Sequence, residues 1–381
     1  MPSLVPSATR RSDRPAGDTT FTPRSSGCER CERLPEPPPA AGTLFLWFPL
    51  GHSRAKAVAR LRAGGHAIPF SGAGCLSVAV DEESRAGVVA ALVDALTPKE
   101  CADTRALLYA GDDLPGFDDI SRVRSFAEFA TVDRSIWLLD LLREERFTSW
   151  YQPIVAADDT SRLFGHEALL RGRAPDGSVI YPGAIFGAAA DADLLFQVDL
   201  AARLSALRGA ADIPADQSVF VNFSPAAIYD PVFCLQRTVR AVDELGLAHG
   251  RVVFEVVESG QAQDPAHLRR VLDFYRTQGF RVALDDVGAG FSQLNLIHLL
   301  RPDFIKVDME LIRNVHADPY KAVIVAKLLE LAEGLSIPSI AEGIECVEEL
   351  AWLRAHGVRY VQGYAIARPT AVPAATTPSL G

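Results

Sequence analysis

From Trp150 onward the chain alternates short apolar runs with stretches of helical periodicity. Eight strand-like runs are spread over about 220 residues, and they begin near Tyr151, Leu163, Val219, Val252, Val282, Phe304, Ile337 and Tyr360. Helical spacing fills most of the intervals between them, as in 265–278 and 321–334. Eight strands alternating with helices are typical of a (β/α)8 barrel. The sequence therefore predicts an α/β fold with a TIM-like barrel over residues 150–370.

Polar side chains lie in or at the ends of all eight predicted strands. In chain order they are Gln152 in the first, Glu167 ending the second, Asn222 ending the third, Glu255 and Glu258 around the end of the fourth, Asp285 and Asp286 ending the fifth, Lys306 in the sixth, Glu342 ending the seventh and Gln362 ending the eighth. A single acid at a strand end is commonly a cap. A converging series of carboxylates is costly unless cations occupy the space between them.

The chemistry of this polar set predicts a metal site. Oxygen donors without histidine favour Mg²⁺ or Mn²⁺ over zinc. The adjacent pair Asp285 and Asp286 could supply ligands to two ions, with one carboxylate bridging. Two such ions can clamp the attacking and leaving oxygens of a phosphodiester, and Lys306 would balance charge or orient the attacking water. Phosphodiester hydrolysis is the reaction that this set would suit.

Charge and hydropathy exclude other classes of function. The formal net charge of −10 disfavours a DNA-binding surface, because binding a duplex depends on neutralising phosphates. No run of eighteen apolar residues is present, so we expect no transmembrane helix and no membrane insertion. The first twenty residues lack the apolar segment of a secretory signal, and a cytoplasmic location is expected.

The region before the barrel divides into three parts. Residues 1–42 are rich in Pro, Ser, Arg and Thr, which predicts a disordered tail. Residues 43–115 contain two strand-like runs and several helical ones, so they predict a small α/β domain with a packing or regulatory role. Residues 116–149 are predicted to be a helical connector, and 371–381 a flexible tail after the barrel.

The tail carries a C-x-x-C motif at Cys28 and Cys31. This spacing could supply half of a zinc site or a redox pair, but no second pair follows it. Because the spacing itself is suitable, a protein that acts mainly as a metal or redox sensor through this motif is kept as an alternative.

The polar set also lies within motifs that resemble a known family. Glu167-Ala168-Leu169, followed by Leu170-Arg171, is similar to the signature that names the EAL domains. The likeness continues over about 220 residues in the segments YQPIV at 151–155, NFSP at 222–225, EVVES at 255–259, DDVGAGFS at 285–292, IKVD at 305–308, AEGIE at 341–345 and QGY at 362–364. So many ordered motifs make the resemblance highly specific.

The resemblance implies a TIM-like barrel whose first strand runs antiparallel to the rest, and which linearises cyclic-di-GMP to pGpG with two Mg²⁺ or Mn²⁺ ions. It implies metal ligands at Glu167, Asn222, Glu255, Asp285 and Asp286. It implies catalytic roles for Lys306, Glu342 and Glu167, with Glu342 as the general base.

Contacts with the dinucleotide are implied at Gln152, Leu169, Arg171 and Gln362. Glu258 matches the acid that steadies the loop after the fifth strand, and the family implies a homodimer through the barrel.

The sequence departs from the family's pattern at two places. Val257 replaces the usual Thr, and 287–291 reads VGAGF where FGTGY is commoner. A non-catalytic cyclic-di-GMP receptor that signals through a partner is the alternative, although such receptors typically lose ligands that this chain retains.

Overall fold

The computed structural model describes residues 34–35, 38–72, 74–110, 114–256, 265–288 and 293–377. Cys28, Cys31, Val257 and Glu258 lie outside the described residues. Within the described part the chain forms one five-stranded and one nine-stranded sheet. None of the described helices combines the length and the hydropathy that crossing a bilayer requires.

The five-stranded sheet belongs to the amino-terminal unit. Its strands are β1 (Gly42–Trp47), β2 (Phe70–Ser71), β3 (Cys75–Val80), β4 (Arg105–Tyr109) and β5 (Arg124–Ser125), in the order β2-β3-β1-β4-β5. All of its pairings are antiparallel. The helices of this unit are α1 (Gly51–Ala63), α2 (Glu82–Ala95), α3 (Pro98–Asp103) and α4 (Phe126–Arg134).

The amino-terminal unit extends beyond residue 115, where the sequence placed the start of a helical connector. Ser125 in β5 pairs with Arg105 in β4. Phe126 is fully buried, and it joins the same hydrophobic cluster as Leu44 and Val88. Helix α5 (Ile136–Arg143) instead packs its leucines against the barrel. The connector is therefore divided between two cores, because each of its helices has an apolar face to bury.

The nine-stranded sheet closes into the predicted barrel. Its strands are β6 (Phe147–Ala156), β7 (Leu163–Arg173), β8 (Val179–Ile180), β9 (Ser218–Phe223), β10 (Val252–Val256), β11 (Arg281–Val287), β12 (Phe304–Val307), β13 (Ser339–Ala341) and β14 (Tyr360–Val361). β8 is an edge strand beside β7, and the pairing of β6 with β7 closes the ring. All eight predicted barrel strands are present, so the predicted fold is confirmed.

The first barrel strand runs against its neighbours. β6 pairs antiparallel with both β7 and β14, whereas the pairings from β7 through β9 to β14 are parallel. Helices cover the outside of the barrel at α6 (Pro182–Asp191), α7 (Leu195–Ala210), α8 (Pro231–Cys234), α9 (Gln236–Glu244), α10 (Pro265–Thr277), α11 (Gln293–Leu300), α12 (Met309–Ile312), α13 (Pro319–Gly334) and α14 (Val347–Ala355).

Helix α7 buries an ion pair at the wall of the barrel. Arg203 is fully buried, and its Nη2 lies 2.9 Å from Oδ2 of Asp199, one helical turn away. The other oxygen of Asp199 accepts a hydrogen bond of 2.8 Å from the main-chain N–H of Ser224. The pair therefore ties α7 to the segment that follows β9.

Replacement of Arg203 should destabilise the barrel far more than replacement of an exposed arginine on the same helix. Arg203→Ala leaves the Asp199 charge buried without its partner, which costs about 3–5 kcal/mol. Arg208 pairs with Glu145 at the surface, and Arg208→Ala should cost about 0–1 kcal/mol. Urea unfolding of both variants measures the difference, and equal losses would contradict the assignment.

Glu100 makes the stability of the amino-terminal unit depend on pH. Its carboxylate accepts hydrogen bonds from the main-chain N–H of Thr97 and from Ser53 and Lys56, which lower its pKa to about 2. Because the folded pKa lies below the ordinary value of 4.5, this stabilisation is present above pH 4.5 and is lost as the pH falls from 4.5 toward 2.

Glu100→Gln should reduce this acid dependence. The unfolding temperatures of the wild type and the variant are compared between pH 6 and about pH 3. The difference between them should narrow as the pH falls, because Glu100 protonates in the unfolded chain. The exposed Glu83→Gln is the control. A constant gap between wild type and Glu100→Gln across this range would contradict the role given to Glu100.

Candidate active site

The barrel interior is built as two stacked layers. The lower layer is apolar and consists of Ile154, Phe220, Val253, Ala283, Phe304 and Ile340. Alternate residues of a strand face the same side, so the residue two positions further along each parallel strand faces inward as well. Those positions hold Asn222, Glu255, Asp285, Lys306 and Glu342.

The antiparallel first strand obeys the same rule in reverse. Because β6 runs the other way, the position above Ile154 is Gln152 rather than residue 156. Gln152 lies directly opposite Glu167 in the β6–β7 register. Strand β7 continues past Glu167 to Arg173, so Glu167 does not end its strand as the sequence suggested. It lies near the end of the pairing with β9, which stops at Ala168.

Lys306 is the centre of the polar layer. Its side chain is buried, and Nζ lies within ion-pair distance of four carboxylates. The distances are 2.5 Å to Glu342, 2.7 Å to Glu255, 3.2 Å to Asp285 and 3.5 Å to Glu167. One ammonium therefore faces four acids, each contributed by a different strand or strand end.

Amide side chains orient the carboxylate of Glu167. Asn222 donates to Oε1 at 2.9 Å, and Gln362 donates to Oε2 at 2.7 Å. Gln362 also lies 3.1 Å from the side-chain oxygen of Gln152. The outermost members of the polar set are thus joined to Glu167 by hydrogen bonds.

A bulge brings the two adjacent aspartates to one place. Neighbouring residues on a regular strand point to opposite faces, so Asp285 and Asp286 would diverge. The register between β11 and β12 shifts between Leu284 and Val287, and Asp286 has a φ of 54°. As a result, oxygens of Asp285, Asp286 and Glu342 lie within 4.8 Å of one another. A residue other than glycine is strained in this left-handed backbone conformation, and such strain is typical of functional sites.

The carboxyl groups titrate far from their usual range. Burial, together with Asp285 and Glu167, raises the pKa of Glu342 to about 8 despite the opposing charge of Lys306. Burial, Asp285 and Asp308 raise the pKa of Asp286 to about 6. Burial also raises the pKa of Glu255 well above its ordinary value. Burial is the largest cause of these shifts, and the neighbouring carboxylates add to it.

Glu167 differs from the other acids. Burial favours its neutral form, but the charge of Lys306 and the hydrogen bonds from Gln362 and Asn222 outweigh burial and lower its pKa. Burial would lower the pKa of Lys306 itself, yet the surrounding carboxylates hold it well above its ordinary value. The ammonium and at least one carboxylate are therefore charged.

The donor set fits a hard divalent cation. Glu255 is fully buried, and its Oε2 has no hydrogen-bond partner among the described residues. A buried carboxylate oxygen without a partner is costly, and a bound cation would satisfy it. Asp285, Asp286 and Glu342 supply a further group of oxygens at metal-binding separation. Carboxylate and amide oxygens are the ligands that Mg²⁺ and Mn²⁺ prefer.

Two cavities flank the acidic centre. One of about 300 Å³ is lined by Gln152, Glu167, Glu342 and Gln362 of the polar set. The other, of about 360 Å³, is mainly apolar and is lined by Leu169 and Asn222 among others. Asn222 lines the larger cavity and is hydrogen-bonded to Glu167, which lines the smaller one, so this pair lies between the two cavities.

Arg171 lies outside the carboxylate cluster. It is buried, with its guanidinium 5.0 Å from the ring centre of Trp150 and 5.2 Å from that of Tyr181. Its Nε has no hydrogen-bond partner among the described residues. A buried guanidinium held by aromatic rings, with a donor unused, is suited to an anion or a base edge.

Sequence reasoning missed three residues at this rim. Asp308 raises the pKa of Asp286, and the IKVD motif already contained it. Arg313 and Glu345 form an ion pair and line the 300 Å³ cavity. No strand end marks these two, because they lie on loops whose approach depends on the tertiary fold. Glu258 is outside the described residues, so the structure does not place it.

Comparison with known proteins shows what this arrangement is similar to. A probable cyclic di-GMP phosphodiesterase, PdeG of Escherichia coli (strain K12), is 31% identical over 226 residues, covering 58% of this chain and 44% of that protein. A second from the same organism, PdeN, is 28% identical and covers 61% of this chain and 45% of its own length. The chain thus spans less than half the length of these two curated relatives.

A solved structure is similar over the same region. It is a standalone EAL protein from Vibrio cholerae O395 in its c-di-GMP-bound form, 34% identical, with a TM-score of 0.54. The match covers 60% of this chain and 95% of that one. The family model described as the EAL domain matches residues 136–369, which is more than half of the chain and includes every barrel strand. The chain belongs to the EAL domain family.

Proposed function

We propose that this chain hydrolyses cyclic-di-GMP to linear pGpG at the acidic centre. The observation that carries the proposal is the ring of four carboxylates around the buried ammonium of Lys306. Membership of the EAL family and the names of the curated relatives support cyclic-di-GMP as the substrate. The ligands that we propose for two Mg²⁺ or Mn²⁺ ions are Glu167, Asn222, Glu255, Asp285 and Asp286.

The chain's own residues would perform the hydrolysis as follows. Bound metal ions would supply a more acidic water and draw charge from the reacting phosphate. Glu342, at the wall of the 300 Å³ cavity, would take a proton from the attacking water, and Lys306 would hold that carboxylate through their ion pair. A bond forms from the water oxygen to phosphorus while the bond from phosphorus to the ribose 3′ oxygen breaks, and the departing oxygen takes a proton from solvent, which opens the ring.

The two cavities support a substrate with two similar halves around a charged centre. Cyclic-di-GMP has two guanosine units joined through two phosphates. We propose that Gln152 and Gln362 contact the ligand from the 300 Å³ cavity, and Leu169 from the 360 Å³ cavity. Arg171 would bind a phosphate or a guanine edge with its unused donor.

Four further features remain proposals. We propose that Glu258 steadies the loop after β11, that the protein is a homodimer through the barrel, and that it acts in the cytoplasm. We also propose that residues 43–115, with the strand and helix that complete their sheet and core, form a regulatory unit. Sedimentation of the wild type and of Glu258→Gln tests the first two together.

Purified full-length protein should convert cyclic-di-GMP to pGpG in Mg²⁺ or Mn²⁺, and a chelator should abolish turnover reversibly. Product chromatography measures the reaction, with Glu167→Ala as the inactive control. Tight binding of cyclic-di-GMP without any pGpG would overturn the enzyme and favour a receptor.

Glu342→Gln should lower kcat by about 10²–10⁴-fold, because it removes a positioned proton acceptor. The side chain keeps its size, so KM should change much less than kcat. The exposed Glu330→Gln, on helix α13, is the matched control and should retain wild-type kcat. A kcat for Glu342→Gln within a few-fold of the control would contradict the general-base role.

A further inference from the structure

A second cluster of metal-binding side chains lies beside the acidic centre and shares none of its residues. It consists of His316, Cys346 and Glu349, each of which offers one ligand atom within 4.8 Å of the other two. His316 lies between α12 and α13, and Cys346 lies between β13 and α14. Both segments follow strands that carry site residues, so the cluster lies at the same end of the barrel.

The donors of this cluster differ in kind from those of the acidic centre. An imidazole nitrogen, a thiolate sulphur and a carboxylate oxygen together select zinc, whereas an all-oxygen set selects magnesium or manganese. Tetrahedral zinc with three protein ligands keeps a fourth position for water or another donor.

The two less exposed ligands are already held in place. Glu349 is 2% exposed, and its carboxylate accepts from the main-chain N–H groups of Asn314, Glu345 and Cys346 at 2.7, 2.8 and 3.3 Å. In the described part of the chain no cationic side chain pairs with this buried charge. Cys346 is the N-cap residue of α14, which fixes the position of its main chain.

His316 provides the adjustable donor. It is exposed, so its ring can turn toward the other two ligands by the small distance that zinc bonds of about 2.0–2.3 Å require. The cluster therefore combines one fixed carboxylate, a thiol on a fixed main chain and an exposed imidazole.

We propose that His316, Cys346 and Glu349 bind one zinc ion that joins the segment 313–318 to the segment 342–349. Binding releases the proton of the Cys346 thiol to solvent, because zinc is coordinated by the thiolate. The joined segments carry Arg313, Glu345 and Glu342, which line the 300 Å³ cavity. Zinc at this site would hold that wall of the cavity in one position.

Cobalt substitution tests the site directly. The parent protein is the full-length Cys28→Ser/Cys31→Ser variant, which removes the C-x-x-C motif, and excess Mg²⁺ fills oxygen-donor sites. We expect one equivalent of Co²⁺ to give a thiolate-to-cobalt charge-transfer band, and one equivalent of Zn²⁺ to remove it. An all-oxygen site gives no such band, so the acidic centre does not contribute.

Two variants of the parent should lose this signal. Serine is a preferred N-cap, so Cys346→Ser keeps the helix start while removing the sulphur. His316→Ala changes an exposed loop residue and should weaken cobalt binding while the protein stays folded. The matched controls are Cys75→Ser and the exposed His298→Ala, which should keep the full band.

Thiol protection gives a second readout. Zinc at about 100 times its Kd should slow alkylation of Cys346 about a hundredfold, because only the unbound fraction reacts. Cys75, which is comparably half-buried, should react at an unchanged rate. A parent protein without a charge-transfer band, or a band of equal intensity in Cys346→Ser, would overturn the proposal. Equal alkylation of Cys346 with and without zinc would overturn it as well.

Discussion

The ammonium of Lys306 within four carboxylates is the interaction on which the site depends. It lies on the sixth barrel strand, and the acids that it contacts come from the second, fourth, fifth and seventh. The ion pairs of this lysine therefore link five of the eight barrel strands at one point inside the barrel. It also leaves the cluster with more acids than cations, and burial together with the neighbouring carboxylates raises the pKa values of Glu342 and Asp286. The fold thus creates a demand for cations that the side chains alone do not meet.

The apolar layer beneath the polar layer supplies the packing that stabilises the barrel. Closely packed apolar side chains fill this part of the barrel interior, and the ring centres of Phe220 and Phe304 lie 5.5 Å apart. Water is excluded from below, so the charges above are screened only from the open rim. Electrostatic interactions in such a place are stronger than in water, which suits a site that must hold ions and polarise a phosphate. Each strand therefore serves stability at one residue and chemistry two residues later.

Most of the barrel could be predicted from the sequence, because strand-like runs and helical periodicity are local properties. The strand count, the barrel and the motif residues Asp285, Lys306 and Glu342 all follow from such patterns. What could not be predicted depends on tertiary contacts. No local pattern reveals the bulge at Asp286, the approach of Arg313 and Glu345, the pairing of β5 with β4 or the packing of the predicted helix α4 into the amino-terminal core. Glu167 lies inside β7 because β7 pairs with β6 as far as Gly172, whereas its pairing with β9 stops at Ala168. The sequence of one strand does not show how far its neighbours pair with it.

The strand that completes the ring is very short. β14 contains only Tyr360 and Val361, and it joins β13 to β6, more than 200 residues earlier in the chain. Gln362 follows at once, and it binds Glu167 and lies against Gln152. During synthesis, the hairpin of β6 and β7 can form from local contacts, but the ring stays open until the residues around 360 have left the ribosome. Closure of the barrel and completion of the hydrogen-bond network around Glu167 are therefore one event, and a nascent chain cannot acquire the finished site before it has acquired the finished fold.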